Sequence, residues 1–92
     1  MPSTCYAIGC VDPVRLGHLM CYFHWRLVPK AIQVDVNATF VTWSKGKGPL
    51  TPYLIAREKA LIAVAEADHV DPVILVTLRQ ELKRLETGGK NA

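Results

Sequence analysis

The sequence predicts a mostly α fold: an N-terminal treble-clef-like Cys3His zinc finger, an amphipathic helix, and a C-terminal antiparallel helical hairpin. Three observations carry that expectation. Three cysteines and a histidine cluster near the start, in the pattern Cys5-x4-Cys10-x10-Cys21-x2-His24. Ile32, Val36, Phe40 and Trp43 then recur at helical spacing. Two apolar segments, each opened by a proline, follow at Pro52 and Pro72.

The chain has 92 residues and a mass of 10.2 kDa. A domain of that size buries only ~60–65% of the surface its unfolded chain exposes, so its core needs help. Two regions are expected to form one compact unit. Residues 1–48 hold the finger, its ligand helix and the next helix, and residues 49–92 hold the hairpin. Half of the residues are hydrophobic and 21% are charged, a globular balance without a disordered signature. No apolar run approaches the ~20 residues a membrane helix requires, so no membrane is expected. The first residues show neither a basic flank nor an apolar stretch, and a cytoplasmic location is expected.

Each of the four candidate ligands has a local reason to converge. Gly9, just before Cys10, permits the tight backbone of a knuckle that brings two sulfurs together. Cys21 and His24 stand three apart, which places both on one face of a first helical turn. Between the pairs, Asp12-Pro13 and Gly17 supply turn chemistry for a short irregular hairpin. An odd number of cysteines beside a histidine argues for a metal and against a disulfide framework. Zinc, in a closed tetrahedral structural site, is the expected ion. His18 stands at the same distance from Cys21 as His24 does and is the substitute ligand. His24 is preferred because it lies deeper in the apolar stretch Met20–Trp25, whereas His18 follows Gly17 near the loop.

The segment Gly9-Cys10, then Gly17-His18-Leu19-Met20-Cys21-x2-His24-Trp25-x3-Pro29, resembles a family of small uncharacterised zinc-finger proteins common in bacteriophages and prophages. Proteins of that family follow the knuckle with Cys-x2-His-Trp, a proline, a helix, a glycine break and an Ala-rich helix. The resemblance spans residues 5–67. It implies Cys5, Cys10, Cys21 and His24 as ligands, with Trp25 and Pro29 in the flanking positions. It also implies an accessory role of unassigned target, in the host cytoplasm where the gene is carried by a phage.

The remaining elements follow in order. Pro29 is expected to end the ligand helix. A helix runs from Lys30 to about Ser44, although Val34, Val36, Ala38 and Phe40 also alternate as a strand would. Lys45-Gly46-Lys47-Gly48-Pro49 breaks the chain. Thr51 is expected to cap a helix with Pro52 in its first turn, extending to about Ala67. That helix is apolar at ten of thirteen positions from Tyr53 to Ala65, so it must be covered on most sides. Asp71-Pro72 starts a last helix to about Glu86, joined to its predecessor by Asp68-His69-Val70. Leu75, Leu78, Leu82 and Leu85 form a seam that packs within the chain or, as the alternative, pairs two copies or meets a partner.

Enzyme classes find no assembled site. Asp68-His69-Val70-Asp71-Pro72 resembles the Asp-His-x-x-Pro piece of HNH nucleases, but no His or Cys follows His69 to complete a metal set. It reads instead as a helix-connecting turn with a capping aspartate. No deaminase strings and no phosphate-cradling glycine loop occur. A non-enzymatic module that binds and modulates a host or phage protein complex is therefore expected. The alternative is a regulatory protein that binds DNA or RNA through Arg15, Arg26, Lys30, Lys45 and Lys47, with Tyr22, Trp25 or Trp43 stacking on bases. The net charge of +3 permits that without demanding it, and Trp25 and Trp43 are expected in the core. The ligand choice is tested by substitution: His24→Ala is expected to abolish metal binding and His18→Ala to retain it, as measured by metal content after dialysis.

Overall fold

The computed structural model describes residues 3–14 and 19–88. It is mostly helical, with two short paired strands at its start. Strands β1 (Ser3–Thr4) and β2 (Pro13–Val14) pair antiparallel, with Ser3 opposite Val14 and Thr4 opposite Pro13. The ribbon continues one step inward, where the Cys5 N–H donates to the Asp12 carbonyl at 2.8 Å. These strands flank the knuckle, and residues 15–17 of the segment expected to form an irregular hairpin between the two ligand pairs lie outside the described residues. Pro13 is an edge-tolerant strand residue, and the knuckle itself serves as the turn. Arg15, Leu16, Gly17 and His18 lie outside the described residues, and so does the reading of His18 as a ligand.

Helix α1 (Tyr22–Trp25) is a single turn, with Cys21 as its N-cap. It ends before Pro29, which was expected to stop it. Pro29 instead caps the start of α2 (Lys30–Ser44), with its carbonyl accepting from the Ile32 and Gln33 N–H groups, both at 3.0 Å. Gln33 then reaches back from α2, its Nε2 donating to the Trp25 and Val28 carbonyls at 2.9 and 3.1 Å. The Trp25 carbonyl also accepts from the Val28 N–H at 3.0 Å, so Gln33 adds a second bond there and takes up the Val28 carbonyl where the short helix ends. One glutamine therefore joins the finger to the helical frame.

Helix α3 (Thr51–Ala67) begins one residue earlier than expected, with Leu50 at the cap position and no side-chain cap bond. Thr51 thus lies inside the helix and does not cap it; Pro52 supplies the first-turn geometry. The last helix, α4 (Pro72–Gly88), extends slightly past Glu86. Its start is capped as predicted, the Asp71 Oδ1 accepting from the Val73 N–H at 2.8 Å. Among the described residues no helix is long and apolar enough to cross a membrane.

The near-continuous apolarity of α3 has a simple cause, since the helix is packed on two sides. Ala56, Ala60 and Val64 recur every fourth residue and join a core with Cys5, Ala7, Val14, Met20, Val28 and Val36. That core draws from both halves of the chain. Leu61 and Ala65 meet Leu78 of α4, with Ile74, Leu75 and Val70 packed around them. Leu75 and Leu78 of the predicted seam are therefore engaged within the chain, and Leu82 and Leu85 are half-buried. An exposed ion pair, Glu66 with Arg79, joins the same two helices. Trp25 packs against the core, whereas Trp43 is 40% exposed. Trp43 stacks on Tyr53 with an interplanar angle of 7°, because it sits in the last turn of α2, beside the start of α3.

Of the three polar residues between Tyr53 and Ala65 (Arg57, Glu58 and Lys59), Glu58 is buried at 5% exposure. The Tyr6 hydroxyl donates to its Oε1 at 3.4 Å. Burial pushes the Glu58 carboxyl above the usual carboxylate range, with Glu81 adding to the effect. Arg57 lies over the rings of Tyr6 and Tyr53, at 4.8 and 5.8 Å from their centroids. Tyr6, just after the first ligand, thereby rests on α3 through two polar side chains.

The end of α3 is a Schellman motif. The Val70 N–H reaches the Ala65 carbonyl and the His69 N–H the Glu66 carbonyl, with Val70 packed on the cluster that contains Ala65. His69 occupies the left-handed position at φ 55°, which glycine normally fills. The left-handed conformation costs a residue with a Cβ roughly 1–2 kcal/mol, partly offset for glycine by its greater unfolded freedom. Replacing His69 by Gly is accordingly expected to raise stability by about 0.5–1 kcal/mol. Denaturant unfolding measures this, and a loss of stability would contradict the strain argument.

Candidate metal centre

Four side chains from two separate elements converge at one point. Cys5, Cys10, Cys21 and His24 each offer one ligand atom, and all four atoms lie within 4.8 Å of one another. Cys5 and Cys10 come from the knuckle, where the Cys10 N–H closes a turn onto the Ala7 carbonyl at 3.1 Å. Gly9 holds φ 79° in that turn, a conformation open to glycine at no steric cost. Cys21 and His24 come from the N-cap and first turn of α1.

The donor set fits a divalent ion. The Nδ1 of His24 lies 3.5 Å from the Cys5 sulfur and 3.2 Å from the Cys21 sulfur. A tetrahedral ion with bonds of ~2.3 Å to sulfur and ~2.0–2.1 Å to nitrogen has edges of roughly 3.5–3.8 Å. The observed spacings are close to those edges. Cys5 is buried, and the other three ligands are half-buried, so the group is shielded without being sealed.

The electrostatics of the sulfurs also favour a cation. At Cys21 the His24 backbone N–H points to the sulfur and, aided by the His24 ring, brings the thiol down to about 7 against the opposing effect of burial. At Cys10 the Asp12 backbone N–H lowers the pKa. Burial and the neighbouring Cys5 and Cys21 sulfurs outweigh it and leave the thiol pushed up to about 11. Three crowded thiols cannot all ionise cheaply by themselves, and a bound cation removes that conflict.

A fifth residue completes the arrangement. The other ring nitrogen of His24, Nε2, lies 3.2 Å from Asp68 Oδ2, at the end of α3. The sequence offered Asp68 only as part of a turn, because no spacing rule links it to the finger. The sole available signal was the acidic residue at a helix C-terminus, where it opposes the helix dipole. Gln33 was missed for the same reason, as its contacts are tertiary.

The basic residues are divided. Arg26 and Lys30 are exposed at the α1–α2 junction, and Lys45 and Lys47 are exposed beyond the other end of α2. A helix of 15 residues is ~22 Å long, so the two pairs form no single patch. Arg15 lies outside the described residues. Comparison with protein-family models, curated proteins and solved structures gives no match. The fold and the site by themselves define a small helical protein built against a Cys3His group suited to a metal.

Metal uptake must displace at least the Cys10 proton at neutral pH. Protons and metal compete, so affinity is expected to fall on acidification, more steeply below about 7 as Cys21 also becomes protonated. Calorimetric titration in buffers of different ionisation enthalpy measures the proton release; an enthalpy independent of buffer would contradict it.

Proposed function

We propose that the protein is a non-enzymatic, zinc-stapled module that binds a protein partner. Zinc is the ion that a closed Cys3His tetrahedron suits best. Four protein ligands leave it no open position for water, which supports a structural role over a catalytic one. The resemblance to phage and prophage finger proteins supports a partner in a host or phage complex.

The observation that carries the reading is an aromatic cleft beside the finger. It has a volume of about 320 Å³ and lies between Tyr22 and Trp25 of α1, Val36 and Phe40 of α2, and Tyr53 of α3. Ligand pockets of that lining and of ~300–1,000 Å³ take apolar groups, with a few polar atoms to orient them. Asn37 at the wall is such a group. Aromatic anchors at the centre of an apolar patch are the usual source of binding energy between proteins. Because the cleft wall is the ligand helix itself, the finger must be folded for the cleft to exist.

A second reading, nucleic-acid binding, is favoured by one observation. Tyr22 and Phe23 are 81% and 57% exposed, and Arg26 lies 5.6 Å from the Phe23 ring centroid. Exposed rings beside a cation can stack on bases. The separation of the basic pairs weighs against it.

Two measurements on the zinc-loaded protein test the reading. A photo-crosslinking residue at Tyr22 is expected to trap a discrete host or phage protein. Fluorescence anisotropy with mixed-sequence DNA and RNA is expected to show no binding at low salt. Steep salt-dependent binding, lost when Lys45 and Lys47 are both replaced, would install the second reading instead. Removing zinc with a chelator is expected to unfold at least residues 4–28 and to abolish the crosslink, because binding energy at such a site is folding energy.

A further inference from the structure

We propose that Asp68 is the outer partner of the metal site: it holds His24 in the tautomer whose Nδ1 binds the ion, and so ties the ion to the end of α3. The inference rests on reading the Cys3His group as a metal site, and it concerns a residue outside that group.

The geometry separates the two ring nitrogens by role. Nδ1 is the atom close to the Cys5 and Cys21 sulfurs. Nε2 faces the Asp68 carboxylate at 3.2 Å, with the two side chains only 13% and 33% exposed. An ionised carboxylate only accepts hydrogen bonds, so the proton of a neutral imidazole belongs on Nε2. Nδ1 is then left with its lone pair directed at the sulfurs, as a ligand must be. Metal-bound histidines commonly donate their second nitrogen to a carboxylate, which fixes the ring and strengthens the ligand.

The placement of Asp68 is otherwise unfavourable. It lies at the C-terminal end of α3, where the helix dipole repels negative charge. Among the described ion pairs its partner is His24 alone. Nor is it a flexible surface group. Its N–H is bonded to the Val64 carbonyl at 2.9 Å, and the next residue is the left-handed His69. The Schellman turn therefore directs this carboxylate toward the finger from a fixed backbone. The same contact joins the end of α3 to the ligand helix of the finger.

Competition for Zn²⁺ against a chromophoric chelator tests this in the full chain. Asp68→Ala is expected to weaken zinc binding by about 10–100-fold, the usual consequence of losing such a partner. Asp68→Asn keeps an acceptor oxygen and is expected to recover much of the loss. In a His24→Cys background, with four sulfur ligands and no imidazole, Asp68→Ala is expected to change nothing. Nitrogen-15 NMR of the zinc-loaded wild type is expected to show His24 protonated at Nε2. Zinc binding by Asp68→Ala as tight as wild type, or an equal loss in the His24→Cys background, would overturn the role of Asp68 and leave the metal site standing. Failure of the wild type to take up zinc would overturn the metal reading itself.

Discussion

The structure depends on the convergence of one histidine and three cysteine side chains. Among the described residues, the finger's own regular structure amounts to two strands of two residues each and a single helical turn. None of these persists alone in water: one turn lies far below the length at which a helix is stable, and a two-stranded ribbon is marginal even when longer. What holds them is a point at which both ends of the finger must meet, plus a floor supplied by α3. The knuckle and α1 are brought to one point by the four side chains of the candidate site.

The second constraint is central placement. Helix α3 takes the finger and α2 against Ala56, Ala60 and Val64, and α4 against Leu61 and Ala65. Two polar ties reinforce the finger side, Tyr6 on Glu58 and His24 toward Asp68. Gln33 adds a third from α2. The cleft proposed to take a partner is bounded by the finger, α2 and α3, so its shape is set by all of them together.

Much of this was legible in the sequence where the signal was local. The cysteine and histidine spacing, Gly9 before Cys10, the 3.6-residue periodicity of α2 and the Asp71-Pro72 start of α4 act over a few residues, and the structure has them. What was not legible was tertiary. Pro29 could end one helix or start the next, and the choice depended on how soon α1 stopped. Thr51 resembled a cap, but Leu50 took that position once Pro52 set the first turn. Trp43 had the spacing of a core residue, yet the core ends before the last turn of α2. Glu58, Gln33 and Asp68 serve contacts with residues far away in the chain, and no periodicity marks such contacts. The segment that includes His18 and Arg15 lies outside the described residues.

The composition of the core bears on how so short a chain manages to fold. Ala7, Ala56, Ala60 and Ala65 are all buried, Ala60 completely. Alanine has no rotamers to lose, whereas a buried leucine or isoleucine gives up about 0.5–1 kcal/mol of side-chain freedom. Each alanine offers less apolar surface, but it also lets backbones approach closely where finger and helix meet. At the alanine positions the ordering cost is thus confined to the main chain, and only larger neighbours such as Met20 add a side-chain share.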